Sequence, residues 1–462
     1  MKQGLYNSVT IAQLIRDIER KGGAVHFVGI GGVSMYSLSR LTMARGIAVT
    51  GSDREDSDRT RELELLGARI HIGHSAENLN GASLLVYSHA IDKDNPELLE
   101  AERLGIPAVS RSMYLGAIMT GYSGRIGISG SHGKSTTVAM LDLIFSHAGF
   151  NPTTLSGADL PTGEPIRIGG SSLLIYEACE YKDSFLDFSP TVAVALNLEL
   201  DHTDYFEGID ALKSSFTSAL SKASHMVILS GDDPNLCDVA ERLSGKVVGF
   251  GGGEQNKYSY SITSFKEIGF DFDIYKFGSR IGSFELNIPG AFNVHNATAA
   301  IATALEYGIP IATISEALAS FRGIPRRLEY IGSRFGRPVY YDYAHHPTEI
   351  RAAIGALKSL TGRPLTVLFR PHTYSRTQSL WREFVGALSL ADYIVLSDIF
   401  AARESAIDGV SSSRLAEDIG SKAKYLPDGE ILEYIDLYTK GAIVLMGAGD
   451  LEKIKKDIKS SE

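Results

Sequence analysis

The chain has 462 residues, 44% of them hydrophobic and 22% charged, with a net charge of −10 and no long run of one sign. This composition excludes a disordered or fibrous protein, and the acidic balance argues against nucleic acid, whose phosphates demand a basic face. The length suggests about three domains.

The first 21 residues, with Arg16, Asp17, Glu19 and Arg20 at their end, lack the apolar core of a signal peptide, and no apolar run approaches the length of a membrane span. The expectation is a cytoplasmic protein without membrane insertion. A strand follows over Ala24–Val28, then the tight turn Gly29-Ile30-Gly31-Gly32, a helix from about Ser34 to Arg45, and the strand Ala48–Asp53. Leu84–Ser88 and Pro107–Ser110 read as further strands, and this first block ends near Gly121. Strands alternating with helices predict parallel βαβ units.

A second block opens with the strand Arg125–Ser129 and runs into Gly130-Ser131-His132-Gly133-Lys134-Ser135-Thr136-Thr137. Leu173–Glu177, Thr191–Asn197 and Met226–Leu229 continue it, and Tyr258–Ile288 shifts to short alternating strands, an antiparallel patch. A helix is expected over Ala297–Tyr307 and a linker at Gly323–Arg327. The last block repeats the α/β rhythm at Val339–Asp342, Leu365–Phe369, Tyr393–Ser397 and Ala442–Met446. The basic stretch Lys453–Lys459 reads as a solvated terminal helix. Cys179 and Cys237 form no CxxC pair, so neither a disulfide framework nor a zinc site is expected. The domains are placed at 1–121, 122–325 and 326–462.

Strand, glycine turn, Lys-Ser and helix form an arrangement that aims backbone N–H groups and the helix dipole at phosphate oxygens. Lys134 adds a point charge toward the β- and γ-phosphates, and Ser135 offers a hydroxyl to Mg²⁺. The strict pattern wants a glycine five residues before Gly133, where Ile128 stands instead. Glu177, Asp201 and His202 follow strand ends, which a parallel sheet presents on one side together with Lys134. The turn Gly29-Ile30-Gly31-Gly32-Val33-Ser34 is a weaker signal. Its third fingerprint glycine is replaced by Ser34, and with Asp53 ending the next strand it suggests a dinucleotide such as NAD, any other diphosphate, or a purely structural turn.

Gly130–Thr137, Glu177-Ala178-Cys179-Glu180-Tyr181-Lys182-Asp183-Ser184-Phe185-Leu186 and Asn197–Asp204 resemble three motifs of the Mur ligases. Pro289–Ala297, Pro325–Glu329, Asp342–Glu349 and Pro371–Thr377 extend the resemblance, in the family's order, over nearly the whole chain. It implies three α/β domains: a Rossmann-like UDP-sugar domain, a P-loop ATPase-like central domain and a Rossmann-like C-terminal amino-acid domain. It also implies ATP and Mg²⁺ as cofactors. The alanine-adding branch is the nearest match, so UDP-N-acetylmuramate and L-alanine are the implied partners, with amide formation through an acyl phosphate.

The resemblance gives Lys134, Glu177 and His202 catalytic roles and makes Ser135, Glu177 and His202 the metal ligands. ATP is expected on Gly130, Ser131, His132, Gly133, Lys134, Ser135, Thr136, Asn293, Asn296, Arg327 and Asp342. The UDP-sugar is expected on Gly29, Gly31, Gly32, Val33, Asp53, Ser88 and His89. The amino acid is expected on Tyr343, His345, His372 and Arg376, whose fork suits an α-carboxylate. Cys179 stands where the family frequently has Asp, and Phe216 where many members carry a carbamylated lysine, so no carbamate is expected. His346 is read as a helix cap, Arg370 as a surface charge, His26, His71, His74, His147 and His225 as structural or exposed, and Trp381 as core packing. A monomer or homodimer is expected. A recycling ligase that adds a preformed peptide, an NAD-dependent oxidoreductase and a non-catalytic nucleotide-binding protein are the other readings.

Overall fold

The computed structural model describes residues 7–202, 205–402, 404–448 and 451–459. The chain forms two compact units. One comprises Met1–Leu200, Gly208–Tyr258 and Ala299–Ile314; the other comprises Asp201–Glu207, Ser259–Thr298 and Ser315–Glu462. The architecture is three-domain α/β with parallel sheets.

In the first unit, β1 (Ala24–Val28), β2 (Ala48–Asp53), β3 (Arg69–Ile72), β4 (Ala82–Tyr87) and β5 (Ala108–Ser110) form a parallel sheet of order β3-β2-β1-β4-β5. Val25, Phe27 and Val28 of β1 are fully buried, as a strand covered on both faces requires. The order reverses at β1, so the glycine turn that follows it opens at the switch point, where such sheets bind ligands.

The same unit carries β6 (Gly124–Ser129), β7 (Thr153–Leu155), β8 (Ile166–Arg167), β9 (Leu173–Glu177), β10 (Val192–Ala195), β11 (Met226–Ser230) and β12 (Val247–Gly251), in the order β12-β11-β10-β6-β9-β7-β8. All pair in parallel except β7 with β8. The chain leaves β6 toward β7 on one side and later fills β10 to β12 on the other, so the loop after β6 also opens at a reversal.

In the second unit, β13 (Tyr258–Phe265), β14 (Phe270–Lys276) and β15 (Ser279–Leu286) are neighbours in sequence order, and β14 and β15 pair antiparallel, as the alternation at Tyr258–Ile288 predicts. The helix expected from Ala297 starts earlier, at Phe292, and runs to Glu306. β16 (Glu329–Arg334), β17 (Arg337–Asp342), β18 (Leu365–Phe369), β19 (Tyr393–Leu396), β20 (Ala423–Tyr425) and β21 (Ala442–Met446) form a sheet of order β16-β17-β21-β18-β19-β20. Only β16 pairs antiparallel. Leu365, Val367 and Phe369 enter one core and Leu368 the other, the period-2 alternation of a sheet buried on both faces.

The helix Glu452–Lys459 corrects an expectation: it is not solvated all round. Ile454 and Ile458, four residues apart and so on one helix face, are buried against Ile331, Tyr341 and Leu445. Trp381 packs on the other core and donates from Nε1 to Asp418 at 2.8 Å. Both cysteines are free. No helix among the described residues is long and apolar enough to cross a membrane.

Candidate active site

The loop after β6 needs glycine at two places. Gly130 (φ 133°) and Gly133 (φ 83°) hold left-handed backbone, and a Cβ on Gly130 would lie 3.2 Å from the Asn197 backbone N and O. The helix Lys134–His147 starts directly from Gly133, which contributes no side-chain cap, so its first N–H groups stay available for an anion. Ser135, Thr136 and Thr137 are buried in the first turn.

The segment after β10 braces this loop. His132 N–H donates to Asn197 Oδ1 at 2.8 Å, and Asn197 Nδ2 returns a bond to the His132 carbonyl at 3.0 Å. Ser131 Oγ donates to the Glu199 carbonyl and accepts from Glu199 N–H, both at 2.9 Å, and His132 Nε2 lies 3.2 Å from Glu199 Oε2. Ser131 and His132 therefore shape the loop through their own side chains, with Asn197 and Glu199 as partners that residue type alone does not announce.

Lys134 Nζ lies 3.2 and 3.3 Å from the two carboxylate oxygens of Glu180 and also donates to the Gly130 carbonyl. Burial works against the ammonium, but Glu180, with Cys179 and Glu177, outweighs it and raises the Lys134 pKa, so the charge is secure. Glu180 is missed by the sequence reading, which favoured Glu177 at the strand end. Glu177 accepts from Gly157 N–H at 2.6 Å and from Ser156 Oγ at 3.2 Å. The Phe216 ring is fully buried, edge-on to Phe185 at 5.2 Å, and Lys213 pairs with Asp238 at 2.6 Å.

The glycine turn after β1 is held from below. Gly29 and Ile30 donate to the Ser52 carbonyl at 2.8 and 3.0 Å, and Gly31 N–H donates to Asp53 Oδ2 at 2.8 Å. Asp53 thus grips the turn itself. Gly32 stands as the cap of the helix Val33–Ala44 and gives it no side-chain bond, so this N-terminus is also open. Ser88 Oγ accepts from Ala90 N–H at 3.3 Å, and His89 is exposed.

In the second unit, Asn293 donates to the Pro289 carbonyl at 2.8 Å and Asn296 to Asn293 Oδ1 at 3.0 Å, both side chains buried. Asp342 accepts from Leu328 N–H and Ala344 N–H, each at 2.7 Å, and burial raises its pKa to about 6 against the pull of Arg327. The Arg327 guanidinium lies 5.3 Å from the Tyr343 ring centroid. His346 caps the helix Pro347–Thr361 in a capping box with Glu349, as expected. Arg370, by contrast, is buried and donates to Ser397 Oγ at 3.0 Å and to Asp428, which corrects its reading as a surface charge.

The amino-acid candidates gather in this unit. Rings of Tyr343 and His345 lie 5.4 Å apart, and those of His345 and His372 6.1 Å. Arg376 reaches His372 Nδ1 and Asp201 Oδ1, each at 3.2 Å. Burial works against ionisation of Asp201, but Arg376 and His202 outweigh it and hold the carboxyl well below the usual range. Desolvation, reinforced by Arg376, pushes both His345 and His372 down to about 4 from 6.5.

That depression has a sign. Between pH 6.5 and about 4 the unfolded chain takes up protons on these histidines that the folded chain refuses, so stability rises with pH through that window and falls as acid is added. The drop in thermal midpoint from pH 7.5 to 4.5 is expected to shrink in a His345→Asn, His372→Asn double variant. An equal drop in both proteins would refute the assignment.

A glycine-bent loop opening on an uncapped helix with a buried lysine, on a sheet flanked in sequence by two more α/β sheets, is the plan of an ATP-using ligase of the Mur type. The chain belongs to the Mur ligase family: it matches the Mur ligase family catalytic domain at residues 24–123, the Mur ligase middle domain at 128–304 and the Mur ligase glutamate ligase domain at 326–450. It is 38% identical to the UDP-N-acetylmuramate–L-alanine ligase of Caldicellulosiruptor bescii and 41% identical to that of Caldicellulosiruptor saccharolyticus, covering 92% of this chain and 96% of each relative. The crystal structure of UDP-N-acetylmuramate-alanine ligase from Thermotoga maritima superposes with a TM-score of 0.81 at 26% identity, over 95% of this chain and 100% of that one.

Proposed function

We propose that this chain joins L-alanine to the lactyl carboxylate of UDP-N-acetylmuramate at the expense of ATP, in peptidoglycan precursor synthesis. The observation that carries it is the Lys134 loop, standing in a chain that matches alanine-adding relatives over nearly its whole length. Amide formation from a carboxylate is uphill in water, so the carboxylate must first be activated. A lactyl oxygen attacks the γ-phosphorus, the bond to the β-phosphate oxygen breaks, and ADP leaves. The alanine nitrogen then attacks the acyl phosphate carbon, inorganic phosphate departs from a tetrahedral intermediate, and the ammonium proton passes to a base.

The protein's share is positioning and charge. Lys134 turns from Glu180 toward the phosphoryl oxygens, while Gly130, Ser131 and His132 shape the loop and the N–H groups of Gly133, Ser135 and Thr136 meet the phosphates. Asn293, Asn296, Arg327 and Asp342 serve the nucleotide. The oxygen donors fit a hard cation: the buried Ser135 hydroxyl and the carboxylates of Glu177 and Glu180 are the ligand type Mg²⁺ prefers, with His202 as a further candidate. When bound there, Mg²⁺ neutralises phosphate charge. Gly29, Gly31, Gly32 and Val33 offer the open helix N-terminus to the UDP diphosphate, with Asp53, Ser88 and His89 at its edge. Tyr343, His345, His372 and Arg376 receive alanine. The enzyme works in the cytoplasm as a monomer or homodimer.

Release of ADP and phosphate is expected only when UDP-N-acetylmuramate, Mg²⁺-ATP and L-alanine are all present. The neighbouring activity, addition of a preformed tripeptide to the same sugar, is separated by a panel of free amino acids against that tripeptide. Turnover with the tripeptide and none with alanine would overturn the reading.

A further inference from the structure

Beneath the first glycine turn lies a buried charge that the reaction does not use. Glu97, at the start of the helix Pro96–Leu104, is fully buried, as are His26 of β1 and Ser52 of β2. Its Oε2 accepts from Ser52 Oγ at 2.7 Å and lies 3.1 Å from His74 Nδ1. Its Oε1 accepts from Asn78 Nδ2 at 2.7 Å and lies 3.5 Å from His26 Nε2. His26 Nδ1 in turn meets Thr50 Oγ1 at 2.8 Å. Burial raises the Glu97 pKa, but nearby His26 and the bonds from Ser52 and Asn78 outweigh it and hold it at about 2.

An ionised carboxylate with no exposure is costly to keep, and apolar groups of matching volume in place of the whole network often hold a fold as well. What the charge secures is position. Ser52 spans the network and the turn: its hydroxyl is bound by Glu97, and its carbonyl receives Gly29 N–H and Ile30 N–H at 2.8 and 3.0 Å. The next residue, Asp53, receives Gly31 N–H at 2.8 Å and, on its carbonyl, Gly73 N–H at 2.7 Å. Asn78 closes the circuit by donating to the Gly73 carbonyl at 3.1 Å. Every backbone N–H from Gly29 to Gly31 is therefore tied to a residue of β2 whose place Glu97 helps to set.

We propose that Glu97 is a positioning residue for the diphosphate of the UDP-sugar, acting through Ser52 on the turn Gly29–Gly32. This rests on the reading that the turn binds that diphosphate. The N–H groups of the turn are held by β2, so what it offers an anion is the uncapped start of the helix Val33–Ala44, and an N-terminus aimed by a rigid supporting shell gains affinity. In Glu97→Gln one carboxylate oxygen becomes an NH₂ group that can only donate, so either Ser52 or Asn78, which now donate to different oxygens, loses its acceptor.

The test measures binding of UDP-N-acetylmuramate and of Mg²⁺-ATP separately by calorimetry, alongside KM and kcat. Glu97→Gln is expected to weaken the sugar about tenfold, the scale of one buried charge-assisted hydrogen bond, with ATP affinity and kcat at saturating sugar unchanged. Ser52→Ala, which keeps the carbonyl and removes the hydroxyl, is expected to show the same split at about threefold, and it decides alone if Glu97→Gln does not fold. Equal losses for both ligands, or unchanged sugar affinity in a folded variant, overturn the proposal. Gly31→Ala separates it from the reading beneath: its Cβ would lie 3.0 Å from Asp53 Oδ2, so it must weaken the sugar if the turn binds it. Unchanged sugar affinity in Gly31→Ala would sink the reading itself; a loss there without one in folded Glu97→Gln or Ser52→Ala sinks only the role of Glu97.

Discussion

Lys134→Ala is expected to lower kcat at least about a thousandfold if, as proposed, its ammonium meets the transferring phosphoryl group, where charge stabilisation carries most of the catalysis. The same substitution should also destabilise the fold. Glu180 is nearly buried and has the ammonium 3.2 Å from its carboxylate, so the variant strips that counter-charge from a buried anion, at a cost of about 3 kcal/mol. The two effects separate in a double variant. Lys134→Ala with Glu180→Gln should recover most of the thermal midpoint and none of the turnover, since a neutral amide no longer requires the cation. Lys134→Arg keeps charge but exchanges a point for a planar fork, and should retain only a small fraction of activity. If Lys134→Ala loses stability and keeps a tenth of its rate, the lysine is a structural partner of Glu180, and phosphoryl transfer is organised elsewhere.

The parts of this molecule that the sequence discloses are those whose cause is local. Ala442–Met446 is an unbroken apolar run, and Ala24–Val28 and Leu365–Phe369 are interrupted only by His26 and Thr366, because both faces of these strands are covered; their limits match those observed. Arg69–Ile72 escapes notice because an edge strand with polar, half-exposed residues carries no such run, and Ile166–Arg167 is too short to carry a pattern at all. The phosphate loop is legible through Gly130 and Gly133, which its backbone requires.

Glu180 is not legible, because where it points depends on a turn in which Lys182 and Asp183 hold positive φ, a conformation that non-glycine residues do not announce. The Arg376–Asp201 pair spans 175 residues, and Arg370 finds Asp428 58 residues on. Charges at such separations can be named from sequence as candidates but not matched. Burial then decides which are structural, as it does for Arg370.

Arg376→Lys is expected to raise KM for L-alanine about a hundredfold while leaving KM for ATP within about twofold, for a reason specific to the arginine's double engagement. The guanidinium meets Asp201 and His372 at 3.2 Å each, and a planar fork with five donors can keep Asp201 while offering another edge to a substrate carboxylate. An ammonium offers three donors from a single atom, and its strongest partner is Asp201, whose carboxyl Arg376 holds well below the usual range. Lysine at this position should therefore satisfy Asp201, keep the fold and lose alanine. Arg376→Ala should add a loss of stability, because Asp201, only 14% exposed at its side chain, is then left without this cation. Asp201→Asn supplies the converse: it frees the fork, so alanine affinity should hold or improve even as the local fold weakens. Alanine KM unmoved by Arg376→Lys would assign the residue to anchoring Asp201 beside His202, and would leave Tyr343, His345 and His372 to receive the amino acid.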